Sequence, residues 1–122
     1  MDAIRTRVSA LFGVRFPVVQ GGMIWVAGAR LAAAVSNAGG LGLIGAGSMS
    51  KELLAEHIDA AHAATSFPFG VNVPVNGRDA EAQIEVALRR GVRIFFTSAG
   101  SPKRFTSVIH AAGGIVAHVV PS

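Results

Sequence analysis

The sequence predicts an α/β fold built on a parallel sheet. Short apolar strands alternate with single helices along the 122 residues, and strands joined by single helices form parallel sheets. The chain is also 51% hydrophobic and 15% charged. That balance suits strands buried on both faces under a layer of helices. The repeating unit is about 25 residues long, short enough for a barrel repeat.

The elements follow in order. Ile4 to Phe12 is a short amphipathic opening. Pro17 to Gln20 is the first strand, with Gly21-Gly22-Met23 as its turn. Ala29 to Ala38 is an Ala-rich helix stopped by Gly39-Gly40. Leu41 to Ile44 is the second strand, ending in Gly45-Ala46-Gly47. Ser50 is a good N-cap for the next helix, with Glu52 in its first turn and Met49 and Leu54 at the staple positions. Phe69 to Val73 is the third strand, and Pro74 to Arg78 its loop. Asp79 to Arg90 is a helix with Ala80, Ile84, Ala87 and Leu88 on one face and Gly91 as its stop. Val92 to Thr97 is the fourth strand, Pro102 to Ala112 the last helix and Ile115 to Val120 the fifth strand. Right-handed crossovers place every post-strand turn on one side of the sheet, where such sheets bind ligands.

The bulk numbers exclude several function classes. The net charge is +4 and the isoelectric point about 11.2, yet the eleven Lys and Arg residues are spread along the chain. Scattered charge is a solvated surface and not a nucleic-acid stripe. No cysteine is present, which removes disulfide and thiolate chemistry. The apolar run from Ala27 to Ala46 is broken by Arg30, Ser36, Asn37 and glycines, so it does not read as a membrane span. The N-terminus lacks an apolar secretory core, and cytoplasmic residence is the default.

Four motifs invite a functional reading. Gly40-Leu41-Gly42-Leu43-Ile44-Gly45 is a literal G-x-G-x-x-G. A dinucleotide fingerprint needs those glycines after a strand and at the opening of a helix. Here they end a helix and run through a strand, which favours close packing at Gly42. The turn Gln20-Gly21-Gly22-Met23 lets a planar ligand approach the backbone, and free N–H groups there could bond an electron-rich ring edge. Glycine alone favours the plainer reading, a tight turn. Asn72 sits in an apolar strand, and its amide requires a backbone or ligand partner. On its own it favours the backbone. Among the histidines, the helical His57 and His62 read as surface residues, and His118 as a packed or ligand-lining residue. No metal spacing, nucleophile elbow or carboxylate pair is present. Lys51 and Lys103 stand at helix starts, away from strand ends, against Schiff-base chemistry.

The stretch from Phe16 to Val26, then Ala34 to Gly42, Phe67 to Asn72, Thr97 to Pro102 and Val119 to Ser122, resembles the nitronate monooxygenase (2-nitropropane dioxygenase-like) family. That family includes the FMN-dependent type II enoyl-acyl-carrier-protein reductases. The resemblance implies that residues 1–122 are the incomplete N-terminal portion, about five βα units, of an FMN-binding (β/α)8 TIM barrel. It implies that Gly22, Met23 and Ile24 lie along the flavin, that Asn72 contacts the isoalloxazine, and that Gly45 lines the ring. The implied activity is oxidation of nitronates, or reduction of an enoyl thioester or quinone, with NADH or NADPH as reductant. The family's catalytic histidine and phosphate-binding turns belong to later strands, so no catalytic residue is assigned here. The chain alone is then expected to be inactive and to hold FMN weakly. The alternatives are a catalytically inactive barrel fragment and a flavin-free barrel protein. The partners expected are a small-molecule substrate and, through open sheet edges, further copies of the chain.

Overall fold

The computed structural model describes residues 2–121; Met1, and Ser122 at the end of the family-like Val119-to-Ser122 run, lie outside the described residues. Among the described residues nine elements follow in order: α1 (Arg7–Phe12), α2 (Ala29–Asn37), β1 (Gly42–Gly45), α3 (Lys51–Ala64), β2 (Phe69–Pro74), α4 (Ala80–Arg89), β3 (Ile94–Ser98), α5 (Thr106–Ala111) and β4 (Ile115–His118). The sheet is parallel throughout, in the order β1-β2-β3-β4. Each strand sits beside its predecessor without reversal. That is the winding of a barrel wall, whereas a doubly wound sheet reverses its strand order at a switch point.

The two faces of the sheet carry different clusters. Ile44, Val71, Val73 and Phe95 point outward and pack with Leu54 and Ile58 of α3, Ile84 of α4 and Ile109 of α5. Leu41, Leu43 and Ile94 point the other way and pack with Phe12 of α1, with Phe96 and Ile115 at their border. The alternation along each strand therefore serves two cores, which is why these strands read as continuous apolar runs.

Local chemistry sets the helix ends. Ser50 Oγ accepts the Leu53 N–H at 3.1 Å and caps α3, as its sequence position predicts. Thr6 and Ser9 form a reciprocal capping box on α1. The last helix departs from expectation. Residues 102–105 form turns, and α5 begins only at Thr106. In those turns Ser101 Oγ accepts the Lys103 N–H, and the Arg104 guanidinium donates to the Val75 carbonyl. These bonds tie the segment to the neighbouring loop.

The expected five-strand count is corrected at the first strand. Residues 17–20 form no ladder of their own, only one parallel bridge, Val19 to Leu41. The reason is visible at Gln20. Its backbone N–H reaches the Leu41 carbonyl at 3.0 Å. The main chain then turns away, and the Gln20 side chain takes the next rung. Its Nε2 donates to the Leu43 carbonyl at 3.0 Å, and its Oε1 accepts the Leu43 N–H at 3.1 Å. A primary amide copies one peptide unit of a missing strand residue. Gln20→Ala should therefore cost about 2 kcal/mol of stability, because both Leu43 groups lose their partners. Urea denaturation measures this. A midpoint equal to that of the wild type would show that the side-chain rung contributes nothing.

Candidate functional site

The C-terminal ends of β1 and β2 and the loop 21–28 meet at one place. In the ladder, Gly45 of β1 pairs with Asn72 of β2, and Asn72 pairs with Phe96 of β3. Gly22 lies directly over Asn72: a side-chain carbon on Gly22 would fall 2.6 Å from Asn72 Oδ1. The Met23 backbone covers Gly45 in the same way, its nitrogen 3.0 Å from where a Gly45 side chain would begin. The Ile24 side chain reaches the neighbouring Gly47, 3.6 Å from the equivalent position. Four of the five residues singled out in the sequence, Gly22, Met23, Gly45 and Asn72, thus form one layer. Ile24 stands beside it, on the rim.

Hydrogen bonding divides this layer into occupied and free groups. Asn72 Nδ2 donates to the Phe96 carbonyl at 2.9 Å. Among the described residues nothing donates to its Oδ1. In the loop, Val26 and Ala27 both donate their N–H groups to the Met23 carbonyl, and the Ala27 carbonyl accepts the Gly45 N–H at 2.8 Å. The backbone N–H groups of Gly21, Gly22, Met23, Ile24 and Trp25 have no partner among the described residues. Five successive main-chain donors are thus left available at the ligand end of the strands. The loop side chains are apolar and open: Met23, Ile24 and Val26 are exposed, and Trp25 is 88% exposed. Trp25 also has a φ of 69°, a left-handed conformation that costs a bulky residue energy and is concentrated at ligand sites.

The layer contains no charged side chain. Its chemistry is a row of neutral donors over glycine, which suits an uncharged planar group with acceptor atoms along one edge. Among the described residues no group of His, Cys, Asp or Glu is arranged to hold a metal ion, and no helix is long and apolar enough to cross a membrane.

Two supporting residues escaped the sequence reading. Gln83 of α4 is buried and donates Nε2 to the carbonyls of Ala46 and Met49, at 2.8 and 2.7 Å, so it fastens the turn after β1. Its signal was a polar residue on the inward face that Ala80, Ile84 and Ala87 define. The second is His57 of α3, which its sequence position places on the surface. It is half-buried, and its Nδ1 accepts the Ala29 N–H at 3.0 Å. His62, in line with the surface reading, is exposed, with Nε2 against the Arg90 carbonyl.

His118 is a packed residue. Its Nε2 lies 2.9 Å from the Gly100 carbonyl and must donate to it, so in the neutral ring its Nδ1 accepts from the Thr97 hydroxyl at 2.7 Å. His118 pairs with Thr97, and Thr97 with Val73. That row faces the helices, one step out of phase with Asn72 and Phe96. Within the G-x-G-x-x-G, Gly42 is likewise structural, since a side chain there would meet the backbone of α2.

The description of the family model that matches residues 5–90 is nitronate monooxygenase. A Mycobacterium tuberculosis protein named (3aS,4S,5R,7aS)-5-hydroxy-7a-methyl-1-oxo-octahydro-1H-indene-4-carboxyl-CoA dehydrogenase is 40% identical over 93% of this chain and 32% of its own length. The solved structure of FabK from Thermotoga maritima superposes with a TM-score of 0.94 at 37% identity, over 98% of this chain and 38% of its own. Nitroalkane oxidase from Streptomyces ansochromogenes superposes with a TM-score of 0.81 at 26% identity, over 96% of this chain and 43% of its own. The chain thus spans about a third of the length of the Mycobacterium tuberculosis relative and of its Rhodococcus jostii counterpart of the same name.

Proposed function

The chain belongs to the nitronate monooxygenase family, and on that footing we propose that it is the first part of the barrel of an FMN-dependent oxidoreductase. The observation that carries this reading is the run of unpartnered N–H groups from Gly21 to Trp25, in a loop whose Gly22 and Met23 lie over Asn72 and Gly45. The residues fit a flavin ring. The backbone donors would face acceptor atoms on its edge, Gly22 and Gly45 let the loop that carries those donors lie close against the sheet, and Asn72 Oδ1 would accept from a ring N–H. When bound, FMN supplies two-electron redox chemistry between a reduced nicotinamide, NADH or NADPH, and an acceptor, or oxidises a nitronate.

This chain's own residues bind and orient. Gly22, Met23 and Ile24 fix the ring edge. Gly45 keeps the Met23 backbone low over the sheet. Asn72, anchored on the Phe96 carbonyl, holds its oxygen in place. None of them is positioned to move a proton to substrate, so acid–base work falls to residues outside this segment. The substrate is a nitronate, an enoyl thioester or a quinone. The CoA thioester in the name of the relative matched over 93% of the chain favours a thioester.

The enzyme that contains this segment should purify yellow, with flavin released on denaturation. A colourless protein that gains no flavin on titration would support a flavin-free barrel instead. Asn72→Ala should weaken flavin affinity about tenfold, the equivalent of one lost hydrogen bond. Flavin titration and the rate of flavin reduction measure it. If both equal the wild type, Asn72 serves only the Phe96 carbonyl.

A further inference from the structure

We propose that His57 is a positioning residue that holds the Gly22-Met23-Ile24 segment in its ligand-facing conformation; this rests on the flavin reading above. Helix α2 begins at Ala29, and its N-cap is Gly28, which has no side chain with which to cap it. The missing acceptor comes from another helix. His57 of α3 places Nδ1 3.0 Å from the Ala29 nitrogen. The fit is close, since a side chain on Gly28 would fall 2.8 Å from His57 Cε1. An orphan N–H at a helix start is thereby satisfied from 28 residues away.

A chain of hydrogen bonds links this cap to the site. Ala29 is held by His57, Gly28 donates to Val26, and Val26 and Ala27 donate to Met23. The Ala27 carbonyl in turn accepts from Gly45. Releasing Ala29 frees one end of the turn that shapes residues 22–24. The other end remains tied at Gln20.

The cap also depends on protonation. Nδ1 accepts only in the neutral imidazole, whereas the imidazolium has two donors and no acceptor. A cation there would also face the positive end of α2. The charged groups lining the same cleft are Arg30 from α2 and Glu56 from α3, of opposite sign, and the loop 21–28 carries none.

The test compares His57→Ala and His57→Asn with the wild type in the enzyme containing this segment. Asparagine Oδ1 stands where Nδ1 stood and keeps an acceptor that does not titrate. Hydrogen exchange over residues 22–29 is measured without flavin, and flavin affinity by titration at about pH 8 and at about pH 5. His57→Ala should speed exchange and weaken flavin about tenfold, the effect of losing a cap. His57→Asn should restore both and flatten the difference with pH that the wild type shows. Wild-type exchange in His57→Ala, or an Asn variant no better than Ala, overturns the proposal. Loss of flavin binding in the wild type itself would instead overturn the flavin reading, while the exchange measurement still judges the clamp.

Discussion

Gly22→Val in the enzyme containing this segment should lower flavin affinity by roughly a hundredfold, about 2.7 kcal/mol, with the fold intact. The first carbon of the new side chain would lie 2.6 Å from Asn72 Oδ1 and 2.7 Å from Asn72 Cβ. Those distances are inside van der Waals contact, so either the loop lifts or Asn72 leaves the Phe96 carbonyl. Both movements displace groups assigned to the ring. The fold should survive because Gly22 lies in a loop and belongs to neither apolar cluster. Flavin absorbance per protein and circular dichroism, measured on one sample, separate the two effects. Stoichiometric flavin in the variant would remove Gly22 from the site.

Gly42→Ala should act on the fold itself, at a cost of at least about 3 kcal/mol. A side-chain carbon there would lie 1.9 Å from the Ala32 carbonyl oxygen and 2.6 Å from the Ala32 Cα. These are backbone atoms of α2, which cannot rotate aside. The helix approaches so closely because Ala29, Ala32 and Ala33 face the strand, all buried. Accommodation requires α2 to move off the sheet and carry the loop 21–28 with it. A typical domain is stable by only about 5–15 kcal/mol, so the unfolding midpoint should fall sharply. A midpoint within error of the wild type would mean that helix and strand are not packed as described.

Much of the architecture was legible because its causes are local. Ser50 could be identified as a cap from its place before an apolar helical repeat, and Gly91 as a stop. At Gly91 the structure shows a φ of 85°, where any other residue would be strained. Gly42 could be assigned to packing because the order helix, glycine, strand is wrong for a phosphate loop. Parallel strands send all their turns to one side, which put the turns holding Gly22, Met23, Gly45 and Asn72 together; the choice of those residues within the turns came from the family resemblance.

What stayed hidden depends on where distant segments land. Residues 17–20 carry the composition of a strand but form one bridge, because the Gln20 side chain takes the rung that backbone would have filled, against a residue 23 positions away. His57 looked like a surface histidine because nothing in α3 reveals that α2 begins beside it with an uncapped N–H. Periodicity, caps and glycines record the needs of a segment's own backbone, so the sequence by itself determined the order of strands and helices and the side on which their turns gather. The partner that satisfies an orphan donor or acceptor is chosen by proximity in space. Only the tertiary structure could therefore show that the side chains of Gln20, Gln83 and His57 bond to the backbone of Leu43, of Ala46 and Met49, and of Ala29, and that both ring nitrogens of His118 are occupied.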